Sequence, residues 1–250
     1  MVQSLSKNQI KLITSLKQKK YRLLHGFFVV EGIKTINELL SSNLQLLTLY
    51  TTETFNNDAN ADSYQDEIII SETDLKRISF LTTPNKALAI FKIPISKSID
   101  ADALIVALDN IRDPGNLGTI IRLCDWFGIK DLVCSNETVD CFNPKVIQAT
   151  MGSITRVNIN YVDLPSFLKE THLPIFGTFM DGESVYEKNL PEKGFLVLGN
   201  EANGISKDIE VLVKEKLAIP RFGDIQATES LNVATATAIL LSEFRRNFVV

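Results

Sequence analysis

From residue 103 onward the chain repeats one pattern, a short apolar run of strand type followed by a turn and a helical stretch. ALIVAL at 103–108 opens the series. DLVC at 131–134, RVNINYV at 156–162, PIFGTFM at 174–180 and GFLVLG at 194–199 continue it, and KLAIP at 216–220 precedes the last helix. Continuous rather than alternating hydrophobicity suits strands buried on both faces, which is the condition of a parallel sheet covered by helices. Helices are predicted near 116–127, 143–150, 163–170 and 206–213, with a further one after Ser230. The expected fold class is therefore α/β, and ligands of such a sheet gather at the carboxyl ends of its strands.

The first 95 residues read as a smaller α/β unit. Ser6 is placed to cap a helix to about Gln18, with Ile10, Leu12, Ile13 and Leu16 on its apolar face. GFFVV at 26–30, a helix near 31–42 and LQLLTLYT at 44–51 follow. A polar stretch from Glu53 to Asp66 reads as loop. EIII is strand-like, Ser71 with Asp74 forms a capping pattern, and ALAIFKI at 87–93 is a last strand. Pro94 to Asp100 is a hinge composition. Two domains are expected, residues 1–95 and 101–250.

Charge is unevenly placed. The chain carries a net −4, yet no acidic residue precedes Glu31, while Lys7, Lys11, Lys17, Lys19, Lys20 and Arg22 are all basic. Such a segment suits phosphate contacts, and it equally suits a solvated helix face. The start MVQSLSKNQ has no apolar core of signal-peptide type, and no run of eighteen apolar residues occurs, so a cytoplasmic location is expected. Cys124, Cys134 and Cys141 are spaced unlike a zinc site and have only His25 and His172 to assist them. They read as reduced packing thiols, and no metal is expected.

Three segments concentrate polar residues at expected strand ends. In LDNIRDPGNLGTIIRLCDWFG, residues 108–128, Pro114 and Gly115 turn the chain, Asn116 is placed to cap a helix, and Gly118 permits close approach. Arg122 lies four residues on, on the face of Gly118. In FLVLGNEANGIS, residues 195–206, a strand delivers Gly199, Asn200 and Glu201, and Asn203 with Gly204 turns toward a helix capped by Ser206. Glycine at that strand end would let a flat ligand lie on the main chain. In LAIPRFGDIQATESLNVATATAILLSEFRR, residues 217–246, Ile219 and Pro220 end a strand, an irregular loop runs to about Thr228, and Ser230 to Asn232 begin a helix rich in Ala and Thr. Each segment alone also fits an ordinary turn, an exposed carboxylate or a capped helix.

Together, and in this order, they resemble the three signature motifs of the SpoU family of RNA ribose methyltransferases, also called the TrmH family, within the SPOUT superfamily. Asn116, Gly118 and Arg122 match the first motif; Gly199, Asn200, Glu201 and Gly204 the second; Ile219, Pro220, Ser230, Leu231, Asn232 and Val233 the third. Ala234 departs from the serine the family often has there. KKYRLLHGFFVVEG, residues 19–32, is similar to the opening of the family's L30e-like substrate-binding domain. The resemblance implies a C-terminal trefoil knot, a homodimer, and RNA held by the N-terminal domain, with Lys7, Lys17, Lys19, Lys20 and Arg22 as RNA contacts. It implies S-adenosylmethionine bound by Thr178, Gly199, Asn200, Ile219, Ser230 and Leu231.

The reaction so implied is methyl transfer to a ribose 2′-hydroxyl of structured RNA, with ribosomal RNA preferred to transfer RNA. Arg122, Asn116, Glu201 and Asn232 are its catalytic candidates. A guanidinium stays protonated in proteins, so Arg122 suits charge stabilisation better than proton abstraction. A dehydrogenase would need GxGxxG and a nucleotide hydrolase GxxxxGK[ST]; neither occurs. The alternative of another class is a noncatalytic RNA-binding or ribosome-assembly protein of the same fold.

Overall fold

The computed structural model describes residues 2–52, 66–224 and 230–248. The stretch from Glu53 to Gln65 and residues 225–229 lie outside the described residues, so the loop readings there are left as expectations. The chain divides into two compact units, residues 1–95 with 140–155, and residues 96–139 with 156–250.

In the first unit Ser6 caps α1 (Lys7–Ser15) through a reciprocal pair: its hydroxyl accepts from the Gln9 amide at 3.2 Å, and the Gln9 side-chain oxygen accepts from the Ser6 amide at 2.9 Å. The helix stops three residues earlier than its apolar pattern suggests. An extended Gln18 (φ −100°, ψ 134°) breaks the run and α2 (Lys19–His25) follows. The carbonyls freed at the break, Leu16 O and Lys17 O, accept from the Arg22 guanidinium at 2.8 and 2.9 Å. Gly26 ends α2 in the left-handed region (φ 71°), where a side chain would be strained.

Next come β1 (Phe27–Glu31), α3 (Ile33–Leu40), β2 (Leu46–Thr51), β3 (Glu67–Ile69), α4 (Glu72–Ile78, capped by Ser71) and β4 (Ala87–Lys92). The sheet order is β1-β4-β2-β3, antiparallel except for the β2–β3 pair. Ile13 and Leu16 of the α1 region pack with Val29, Tyr50, Leu75 and Leu88 into its core.

Residues 140–155 fall in this unit, although the sequence pattern gives them to the second domain. Asp140 pairs with Arg22, and Phe142 packs on Phe28 with ring centroids 4.8 Å apart. A Cβ on Gly152 would lie 2.6 Å from Glu38 Cβ of α3, so only glycine fits that approach. Between them runs α6 (Pro144–Thr150) against β1, capped by Asn143.

The second unit is a six-stranded parallel sheet, β10-β8-β9-β5-β6-β7. Its strands are β5 (Leu104–Leu108), β6 (Asp131–Ser135), β7 (Asn158–Val162), β8 (Ile175–Ser184), β9 (Gly194–Leu198) and β10 (Glu215–Ala218). Every residue of β5, β6 and β9 is buried, as double-sided covering requires. The helices are α5 (Pro114–Trp126), α7 (Leu164–Lys169), α8 (Lys207–Glu210) and α9 (Val233–Arg245), with α5 and α9 in contact.

Two caps differ from expectation. The cap of α5 is Asp113, whose carboxylate accepts from the Asn116 amide at 2.8 Å, with Pro114 in the first helical position. Asn116 is thereby inside the first turn with its side chain released from capping. Ser206 precedes a helix of one turn and makes no side-chain cap bond; its amide donates to Asp109 Oδ2 at 2.7 Å.

The three cysteines are buried, and burial drives the Cys124 thiol well above the usual thiol range, in keeping with packing. Among the described residues no helix is long and apolar enough to cross a membrane, and no group of metal-ligating side chains occurs.

Candidate active site

The middle of β8, the ends of β9 and β10 and the first turns of α9 surround a mainly apolar cavity of about 400 Å³ in the second unit. Thr178, Gly199, Asn200, Ile219, Ser230 and Leu231 all line it, and so does Glu201. These positions come from three distant stretches of chain, and the parallel sheet gathers them because it delivers every strand end to one edge.

The glycine at 199 has a different reason from the one its position suggests. A Cβ there would lie 2.2 Å from Gly204 C and 2.3 Å from the Ile205 amide. The crowding comes from the loop's own backbone, since the Asn200 and Gly204 amides exchange bonds with each other's carbonyls at 3.0 and 2.8 Å. Asn200 reinforces this closure. Its amide nitrogen donates to Asn110 O at 2.8 Å and its oxygen accepts from the Ala202 amide at 2.9 Å.

At the cavity edge three polar candidates meet. Asn116 Nδ2 donates to Glu201 Oε1 at 2.6 Å, and Asn232 Nδ2 donates to Asn116 Oδ1 at 2.9 Å. Asn232 Oδ1 accepts from the Ala234 and Thr235 amides at 3.0 and 3.3 Å, which anchors the row to the start of α9. The row is directional: a helix terminus orients Asn232, Asn232 orients Asn116, and Asn116 leaves the Glu201 carboxylate with its other oxygen to offer. Ala234 contributes its main chain here, so the missing serine hydroxyl costs the row nothing.

Arg122 stands apart. It is exposed on α5, outside the cavity lining, and makes no hydrogen bond or ion pair among the described residues. Its chemistry is thus unspent among the described residues.

Of the basic candidates, Lys7, Lys17, Lys19 and Lys20 are exposed, whereas Arg22 is withdrawn from the set. It is 2% exposed, and its guanidinium is committed to Asp140 and two carbonyls, which leaves nothing for a phosphate.

Asp109 and Asn110, in the first of the three segments, escaped the residue reading. Asp109 is buried and fixes Ser206, and Asn110 has φ 60°, a left-handed value that asparagine tolerates better than most residues. An Asp-Asn pair directly after a buried strand was the available signal. Met180, Arg221 and Leu240 also line the cavity without any mark in the sequence.

The comparisons agree with this geometry. Residues 103–242 match the model of the SpoU rRNA Methylase family, and residues 7–89 match an MRM3-like substrate binding domain. The 23S rRNA (guanosine(2553)-2′-O)-methyltransferase RlmP of Bacillus subtilis is 27% identical over 98% of both chains. A solved protein of the TrmH family from Porphyromonas gingivalis is 39% identical, with a TM-score of 0.87 over 98% of this chain and 100% of that one. The AdoMet-bound rRNA methyltransferase of Sinorhizobium meliloti is 29% identical, with a TM-score of 0.85 over 100% and 98%. With more than half its length inside the family model, the chain belongs to the SpoU rRNA methylase family.

Proposed function

We propose that this chain transfers the methyl group of S-adenosylmethionine to a ribose 2′-hydroxyl of ribosomal RNA. The observation that carries the reading is the Asn232–Asn116–Glu201 row at the edge of an apolar cavity lined by residues of the second and third motifs. The cavity suits the cofactor in size and character: about 400 Å³ lies within the range of small-molecule sites, with few polar groups to fix orientation. Thr178, Gly199, Asn200, Ile219, Ser230 and Leu231 would hold it. When bound, the cofactor supplies an electrophilic methyl on a sulfonium.

The chain's own part is placement and charge. Asn116, Glu201 and Asn232 hold the ribose so that its 2′-oxygen lines up with the methyl–sulfur bond, a matter of orientation. Arg122 stabilises negative charge developing on that oxygen and orients a neighbouring phosphate, which can receive the proton that the guanidinium, always protonated, cannot. The surface of Lys7, Lys17, Lys19 and Lys20 meets RNA phosphates. Retention of all four polar candidates favours catalysis over a noncatalytic assembly role.

We further propose that the protein works as a homodimer in the cytoplasm, with the trefoil knot of its family in the C-terminal segment. Support for the dimer comes from α5, where Trp126 is 84% exposed on the same helix as Arg122, which has no partner among the described residues. The deciding experiment is Arg122→Ala assayed with 23S ribosomal RNA. Methyl transfer should fall at least a hundredfold while cofactor affinity by calorimetry changes less than twofold; turnover within a few fold of the parent sinks the role given to Arg122.

A further inference from the structure

The first unit holds a cavity of its own, of about 350 Å³, at the end of its sheet where β2 stops, α4 starts and β4 begins. Thr52, Thr73, Asn85, Lys76, Lys86 and Glu72 line it, a set quite unlike the apolar cofactor cavity. The neighbouring threonines differ. Thr51 donates its hydroxyl to Glu67 Oε1 at 2.6 Å, whereas Thr52, 4% exposed, has no hydrogen-bond partner for Oγ1 among the described residues. A buried hydroxyl left unbonded costs free energy, and a valine of the same shape would avoid it. The main chain does not require the hydroxyl either, since the Thr52 amide is already bonded to Lys86 O at 3.2 Å.

From this unmet group we infer that the cavity is a binding site for one unpaired base of the RNA substrate. The inference rests on the RNA reading above. A volume near the low end of small-molecule sites has room for a base. Hydroxyls, an amide and a carboxylate offer donors and acceptors to the edge of a base, and Lys76 and Lys86 supply positive charge for its flanking phosphates. Proteins read RNA sequence mainly at unpaired bases, whose edges are free. The cavity lies within the stretch that matches a substrate binding domain. Thr52 lines this cavity, and its hydroxyl is a buried polar group that the described residues leave unbonded.

Thr52→Val tests this in the full-length protein. Affinity for 23S ribosomal RNA, read by fluorescence anisotropy, should weaken roughly three- to tenfold, the range for one lost hydrogen bond. The thermal midpoint should hold or rise, and cofactor affinity should not change. Lys76→Ala should lower the slope of log affinity against log salt by about one. Wild-type RNA affinity in Thr52→Val, or its recovery at the same level with Lys76→Ala added, overturns the site. So does saturation of the cavity by free nucleoside monophosphates that leaves RNA binding untouched. If the parent protein itself neither binds nor methylates 23S RNA, the fault lies with the functional reading instead.

Discussion

At position 199 a methyl group would have nowhere to go, because the place of a Cβ is taken by the main chain at 204–205 only 2.2 Å away. Gly199→Ala should therefore open the loop that shapes the cofactor cavity, lowering stability by about 1–3 kcal/mol and cofactor affinity more than tenfold; thermal melts and calorimetry read the two. Glu31 offers a different test. Burial pushes its carboxyl above the usual glutamate range, and the bonds from Ser79 Oγ and the Phe80 amide offset this only in part. As pH rises the unfolded chain ionises first, so stability falls through the window between the ordinary glutamate value and the raised one. Glu31→Gln should raise the thermal midpoint at neutral pH and lose that advantage in acid, as melts across the pH range would record.

At the level of elements, the break between α1 and α2 depends on Arg22, whose donors serve Asp140 and the two carbonyls of the break. Arg22→Met should cost on the order of 3 kcal/mol, since it leaves a half-buried carboxylate and two carbonyls unmatched; chemical denaturation is the measurement. The same residue marks where the sequence stops being readable. The strands, the Ser6 and Ser71 caps and the three motif segments follow local rules of periodicity and spacing. Arg22 looked like part of a basic surface because its neighbours are lysines, and its partner lies 118 positions away. Asn116 looked like a helix cap because asparagine favours that position, but Asp113 before proline competes better and releases Asn116 to meet Glu201 and Asn232. That row joins residues 85 and 116 positions apart, beyond the reach of local pattern.

For the whole molecule, the exposed Trp126 on the helix that carries Arg122 sets a test of assembly. Trp126→Ser should shift sedimentation toward monomer and reduce methyl transfer at least tenfold, with cofactor binding to the single chain retained in large part; an unchanged dimer would count against α5 as the joining surface. The other large-scale feature is the membership of residues 140–155 in the first unit. During synthesis the ribosome releases residues 1–95 well before that piece exists. At about 5–20 residues per second, the 60 residues from 96 to 155 take roughly 3–12 seconds, and for about the first 2–9 of these Phe28 lacks Phe142 and Arg22 lacks Asp140. The amino-terminal half of this chain is thus born early and finished late, and a gene fragment cut at the apparent hinge would encode a domain missing its last part.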